Sequence, residues 1–311
     1  MLREDLYQLK QFLSVSDYSR FVREVIDEAI QTWFEPQLRG RSVVNVHRNS
    51  DAINLYWIDE VGGMGAEPLA EGEEPPRIKI THSAYTIRSH KLGVAYDLSR
   101  ELLSDVGLDI YTRTLRSATR RVAGRENQYI FNVLLNGVAN GVAPKIAPVY
   151  DTHILDANNW TTQTLDHEKI SYLISVLEDE DVQPNVALMS PAQFLQLQLL
   201  LEFKDTNGTF VFLPSQAESM VANAARKAFG LPNMQIIVDP HVPKDVLLIF
   251  DKTIYADFYE IWPLTIERID DNLRFLETIS LVERVACVAR EPKAAAKLIN
   301  LSYADVTAKL V

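Results

Sequence analysis

Residues 109–137, DIYTRTLRSATRRVAGRENQYIFNVLLNG, decide how the chain is organised. Asp109 is a favoured helix N-cap, and Gly137 is the residue a helix prefers just past its end. Between them Tyr111, Leu115, Ala118, Val122, Tyr129 and Val133 recur at helical spacing and make one apolar stripe, broken only around Arg125 and Glu126. Arg113, Arg116 and Arg120 fall on the opposite face, with Arg121 and Arg125 on its flank. At about 1.5 Å per residue the helix is a spine roughly 40 Å long, well above the usual length.

Its expected partner lies at the other end of the chain, in Thr265–Arg290. Here TIERI and a longer strand, LRFLETISLVERVACVAR, flank the turn formers Asp270, Asp271 and Asn272. In the second strand Leu273, Phe275, Ile279, Leu281, Val285, Cys287 and Ala289 share one face. The other carries Arg274, Thr278, Ser280 and Arg284, then turns apolar at Ala286 and Val288, so both sides of the strand's end should be covered. At about 3.4 Å per residue this ribbon would run roughly 55–60 Å, two or three times an ordinary strand. A ribbon of that length is expected to finish its burial against neighbouring molecules.

Bulk composition bounds the answer. The chain has 311 residues, 47% of them apolar and 23% charged, which is ordinary for a globular protein with a large core. A net charge of −11 and a pI near 5.1 argue against nucleic acid or an anionic membrane as a whole-surface partner. Cys287 is the one cysteine and fits a small buried hydrophobe, so disulfides, zinc clusters and a thiol nucleophile have no support. No apolar run approaches membrane-spanning length and no signal-peptide core opens the chain; a soluble, cytoplasmically made protein is expected.

Residues 1–50 read as a charge-balanced helical arm, with Leu2, Leu6, Leu9 and Leu13 on one short helix and Val22, Val25, Ala29 and Trp33 on the next. Residues 53–97 read as a two-stranded excursion: INLYWIDEV runs out and RIKITHSAYTIRSHKLGVAY returns. Its tip carries Glu67, Glu71, Glu73 and Glu74 with no base until Arg77. Residues 150–262 change to mixed α/β: Asp166 caps a helix HEKISYLISVLEDE, NVALMS is a buried strand, and Ser190-Pro191 opens a second helix. A turn at KDTNGT, a helix Ala217–Phe229 and strands MQIIVD, DVLLIF and IYADFYEIW follow.

Catalytic chemistry finds little footing. Gly62, Gly63 and Gly65 lack the following helix and Lys-Ser/Thr of a phosphate loop, and none of the six histidines sits in a metal-binding helical pair. Asp151 with His153, or Asp166-His167-Glu168, are weak metal candidates beside loop and capping roles. No serine has a base at motif spacing. The arginine stripe has two readings that can coexist. It pairs with carboxylates such as Glu277, Glu283 or a neighbour's acidic tip, or it is a basic inner surface that holds packaged phosphate by charge alone.

The order of parts, with IDDNLRFLETISLVERVACVAREPKAAAKL near the end and VLLNGVANGV after the spine, resembles the major capsid protein of tailed bacteriophages and related archaeal viruses, the Hong Kong 97 phage fold. The resemblance implies an α+β phage capsid fold: an N-terminal arm (1–50), an extended loop (51–97), a peripheral domain with the spine helix (98–149), an inserted α/β axial domain (150–252), and a return to the peripheral domain with the long ribbon (253–311). It implies Pro292 leading an Ala-rich helix. It also implies a structural, non-enzymatic protein without cofactor that assembles with itself as pentamers and hexamers into an icosahedral shell around double-stranded DNA. That shell would be the virion capsid, assembled in the host cytoplasm with portal, scaffolding or decoration proteins as possible partners and no membrane. The tip residues Glu67, Glu71, Glu73, Glu74 and Arg77 would lie at a subunit interface, and Asp270, Asp271, Asn272 and Arg274 near a local three-fold axis. With no long coiled-coil segment read before the arm, scaffolding, if used, is expected to be a separate protein. The tip has no lysine between Gly62 and Pro76, and Leu276 aligns where cross-linking relatives carry asparagine, so no covalent chainmail is expected. The alternative is an encapsulin, a nanocompartment of the same fold that encloses a cargo enzyme, to whose N-termini FVREVIDEAIQTW with Arg41 and Val43 is loosely similar.

Overall fold

A computed structural model describes residue 34 and residues 37–48, 54–61, 79–86, 89–99, 108–137, 147–200, 234–271 and 275–302. Along these the strands are β1 Asn45–Arg48, β2 Asn54–Val61, β3 Lys79–Thr86, β4 His90–Ser99, β5 Ile154–Asp156, β6 Val186–Met189, β7 Gln235–Val238, β8 Leu247–Phe250, β9 Ala256–Asp271, β10 Leu276–Ala289 and β11 Ala295–Ile299. The helices longer than one turn are α1 Leu108–Asn136, α2 His167–Glu178 and α3 Pro191–Leu200. The described strands form sheets ordered β1-β9-β10-β4, β5-β11-β8-β6-β7 and β2-β3.

The long amphipathic pattern folds as one helix of 29 residues. It begins at Leu108, so Asp109 lies in the first turn rather than capping it; helix ends fray, and their sequence signals are good to a residue or two. Gly137 ends it as expected, at φ 75°, where a Cβ would clash. Its N–H donates to the Val133 carbonyl at 2.8 Å. A helix leaves its last four carbonyls without helical partners, and tertiary contacts take the next two. The Tyr255 hydroxyl donates to the Leu134 carbonyl at 2.5 Å and Lys297 Nζ to the Leu135 carbonyl at 2.8 Å.

The chain divides into two compact units: Met1–Arg39 with Leu92–Asn127 and Leu264–Glu283, and Gly40–Lys91 with Gln128–Pro263 and Arg284–Val311. In the first, Leu115, Ala118, Val122 and Ala123 of α1 pack on Ile279 and Leu281 of β10 and on Leu98 of β4, with Phe34 and Leu38 completing the core. This is the spine-on-ribbon contact that the two periodicities require. Gly93 is where β4 crowds β10, since a Cβ there would sit 2.8 Å from the Leu281 carbonyl oxygen.

In the second unit, β11 lies between β5 (parallel) and β8 (antiparallel), and β6 between β8 (antiparallel) and β7 (parallel). Helix α2 packs against β8 and β11, burying Ile170, Leu173 and Leu177. Ser190 Oγ accepts from the Gln193 N–H at 3.3 Å at the start of α3, and Pro191 occupies its first position.

Four expectations change. The return of the excursion is two strands: β3 pairs with β2 from Asn54↔Thr86 to Val61↔Lys79, whereas His90–Ser99 is β4 of another sheet. The alternation runs on through both, so nothing in it marks the change. IYADFYEIW and TIERI are one strand of 16 residues running through Pro263. β1 flanks only Asp257–Glu260, so Pro263 lies beyond that pairing, where a missing N–H is tolerated. Among the described residues the ribbon's second strand begins at Leu276; Phe275, expected on its apolar face, sits in the preceding turn at φ 52° and is exposed, while Leu273 lies outside the described residues. Finally, Pro292–Ala294 makes a single 3-10 turn and the alanines continue as β11. Ala294, Ala295 and Ala296 are fully buried, and packing between β5 and β8 overrides alanine's helical preference. The helix expected at Ala217–Phe229 and the arm helices before Phe34 lie outside the described residues.

Asp166 caps α2 through the Lys169 N–H at 3.0 Å, and the fully buried Lys169 places its ammonium on Asp166 Oδ2 at 2.5 Å and the Thr164 carbonyl at 2.9 Å. Desolvation pushes the Asp166 carboxyl up, but the hydrogen bonds and charge of Lys169, with a bond from Thr162, outweigh it and hold it below its ordinary value. A depressed carboxyl contributes stability that is complete above its unfolded pKa of about 4 and lost as pH falls through the lower folded value. Asp166→Asn keeps one oxygen to cap the helix, removes the charge, and replaces the oxygen that accepts from Lys169 Nζ and Thr162 with an amide donor. It should cost about 2 kcal/mol at neutral pH and flatten the acid limb of the stability profile, checked by denaturant melts between neutral pH and pH about 3.

Candidate assembly surface

The expected basic face is exposed: Arg113, Arg116, Arg120, Arg121 and Arg125 all reach solvent from α1, and the Arg121 guanidinium also lies 5.9 Å over the Tyr96 ring. Of the carboxylates expected to pair with them, Glu283 is fully buried on β10 and the Glu277 side chain is outside the description. Glu67, Glu71, Glu73, Glu74 and Arg77 lie outside the described residues, as do Asn272 and Arg274. Asp270 and Asp271 end β9 instead of starting the turn. Beside that turn Ile269 and Phe275 are 57% and 65% exposed, too much apolar surface to belong to the core under them.

A charged latch between β1 and β9 had no sequence motif. The strands run parallel, Asn45↔Asp257 to Arg48↔Glu260, which sets Asn45, His47 and Arg48 beside two buried carboxylates. Asp257 is approached by Asn45 Nδ2 at 3.4 Å, His47 Nε2 at 3.3 Å and Tyr259 Oη at 3.5 Å, with Arg290 Nη1 at 3.7 Å. The His47 ring stacks on Tyr259 at 5.0 Å. Burial, then the charge of Asp257, pushes the Tyr259 phenol up to about 12, so it stays protonated and donates. Glu260 takes Arg41 Nη1 at 2.8 Å and Arg48 Nε at 3.7 Å, and the Arg41 guanidinium also covers the Phe258 ring at 5.1 Å.

On the next stretch of β9 Trp262 is half-exposed. The Arg284 guanidinium of β10 lies 5.5 Å over its ring, and Arg284 Nε donates to Ser89 Oγ at 2.6 Å.

Among the described residues no three of His, Cys, Asp and Glu are grouped to hold a metal, and Asp166 is occupied as a cap. His153 is buried, with Nδ1 3.2 Å from the Ala295 carbonyl. An open depression of about 320 Å³ is lined by Thr152, Ile154, Asp156, Asn159, Trp160 and Tyr172. Its one carboxylate, Asp156, already accepts from Asn300 Nδ2 and the Asn158 N–H, each at 2.9 Å, and no base or nucleophile faces it there.

Residues 84–298 match the family model described as Phage capsid protein. The chain belongs to that family. Three solved structures share its fold. One, from Microbacterium phage Oxtober96, is 12% identical at a TM-score of 0.60, over 84% of this chain and 90% of its own. The capsid of cyanophage P-SCSP1u is 13% identical at 0.58, over 83% and 86%. A virus-like particle from Pyrococcus furiosus is 13% identical at 0.56, over 87% and 98%. No curated protein matches. This phage capsid protein is therefore a structural shell subunit of the major capsid type, and the arginine face, the latch and the exposed β9–β10 side chains are surfaces of such a subunit. No helix among the described residues is long and apolar enough to cross a membrane.

The latch separates strong from weak ion pairs. Glu260→Ala strands the nearly buried Arg41 and should cost about 3 kcal/mol. Arg48→Ala removes a partner that is 72% exposed and should cost about 0.5 kcal/mol or less. Equal midpoint shifts in denaturant melts of the two variants would contradict this assignment.

Proposed function

We propose that this capsid protein assembles with itself, as pentamers and hexamers, into a closed icosahedral shell that encloses double-stranded DNA in the host cytoplasm. The observation that carries the proposal is the family match across residues 84–298. Trp262 and Ile269 on β9 and Phe275 in the turn before β10 support it as exposed apolar side chains. Contacts between copies that bury a few thousand Å² supply tens of kcal/mol of gross apolar stabilisation at about 25 cal/mol/Å², much of it offset by ordering.

In this proposal residues 1–50 are an arm, 51–97 an extended loop, 98–149 and 253–311 a peripheral domain, and 150–252 an axial domain. The glutamates at 67, 71, 73 and 74 rest on basic residues of the next subunit and set register more than strength. The turn at Asp270, Asp271, Asn272 and Arg274 meets its copies near a local three-fold axis. The spine arginines that face the lumen hold DNA by charge, without sequence preference. In this reading the subunit itself carries out no catalytic step.

The second reading is an encapsulin-type compartment, favoured by the likeness to the Pyrococcus furiosus particle. Content decides between them. Purified protein should form closed particles in negative stain that protect DNA from nuclease; particles holding a stoichiometric co-purifying protein instead of DNA would select the compartment. Dissociated particles should give only single-chain masses, and covalent ladders would overturn the absence of chainmail.

A further inference from the structure

We propose that Arg284, seated on Trp262, is a preformed receptor for a glutamate carboxylate of the acidic segment Glu67–Glu74 in a second copy of the chain; this rests on the shell assembly proposed above. The geometry is that of a side chain fixed in advance. Nε is spent on Ser89 Oγ at 2.6 Å, and the guanidinium carbon stands 5.5 Å over the indole. Among the described residues Ser89 is the one side-chain hydrogen-bond partner of Arg284 and Trp262 its one ring contact, so Nη1 and Nη2 remain as a planar pair of donors beside Trp262, which is 53% exposed. A guanidinium held flat on an aromatic face, with its inner nitrogen anchored, keeps the fork that a carboxylate accepts in two parallel bonds. Its rotamer entropy is already lost before the ligand arrives, which favours binding.

Charge and chain geometry select the occupant. In a protein of net charge −11, the segment Glu67, Glu71, Glu73 and Glu74 packs four carboxylates with no base until Arg77. The β2–β3 ladder ties the two ends of that segment, Val61 and Lys79, opposite each other, seven steps from the Asn54↔Thr86 pair. Seven steps are about 24 Å. Ser89 follows Thr86 by three residues, a reach of about 10 Å at most. The chain's own glutamates would have to turn back along the ladder to meet its own Arg284, whereas those of another copy need no such reversal.

The test uses full-length protein and the concentration at which particles form, read by light scattering and negative stain. Arg284→Glu, and separately Glu67→Lys, Glu71→Lys, Glu73→Lys and Glu74→Lys together, should each raise that concentration about tenfold or more at low salt while leaving the thermal midpoint of the unassembled chain unchanged. An equimolar mixture of the two variants should form particles that neither forms alone, because each supplies the charge the other lacks across the contact. If Arg284→Glu assembles at the wild-type concentration, the receptor is wrong. If both reversals in one chain restore assembly and the mixture does not, the occupant is the chain's own segment and the second copy is wrong. Wild-type protein that forms no particles would remove the shell reading itself, an outcome separate from both.

Discussion

Burial of the α1 stripe against the long strands is the contact on which the rest of the structure depends. A helix and a two-stranded ribbon are each marginal alone in water, and each presents one apolar face. Leu115, Ala118 and Val122 recur every three or four residues and Ile279 and Leu281 every two, so the two periods meet on one surface. The partly buried Val94, Tyr96, Leu264 and Ile266 widen that surface. Toward its C-terminus the same helix is held differently, by polar groups. Tyr255 and Lys297 take carbonyls that the helix cannot satisfy itself, and the Tyr129 hydroxyl accepts from the Cys287 N–H at 3.2 Å.

The polar contacts divide by what surrounds them. Asp257 and Glu260 are buried, so each must be matched by donors, and β1 with Arg290 supplies them. That need pins a strand of only four residues in one register, because a slip of one position would turn Asn45 and His47 away from Asp257. Exposed groups are under no such obligation. Arg48 is 72% exposed, and water solvates it whatever its partner.

Among the described residues the perturbed groups have structural causes. The raised phenols, Tyr129 and Tyr255, are pushed up first by burial and serve as hydrogen-bonding struts. The lowered carboxyl Asp166 is a helix cap bound to a buried lysine. At the surface, Asp156 is lowered by hydrogen bonds from Asn300 and Asn158, and Lys293 is raised by its bond to Glu180.

Sequence alone was sufficient wherever a local rule acted over many residues. The α1 stripe, Gly137 at its end, the caps at Asp166 and Ser190, the buried β6 and the two-sided burial of Ala286 and Val288 all follow from period and capping chemistry. The order of these parts was enough to reach the capsid family. Tertiary structure decided what no local rule encodes. The alanines after Pro292 became a strand because β11 pairs with β5 on one side and β8 on the other, and Ala295 and Ala296 are fully buried there. One continuous alternation was split between two sheets, and β1 found its place through carboxylates more than two hundred residues away. The physical reason is that backbone period is set by neighbours in the chain, whereas burial, and with it the partner of every buried charge, is set by neighbours in space.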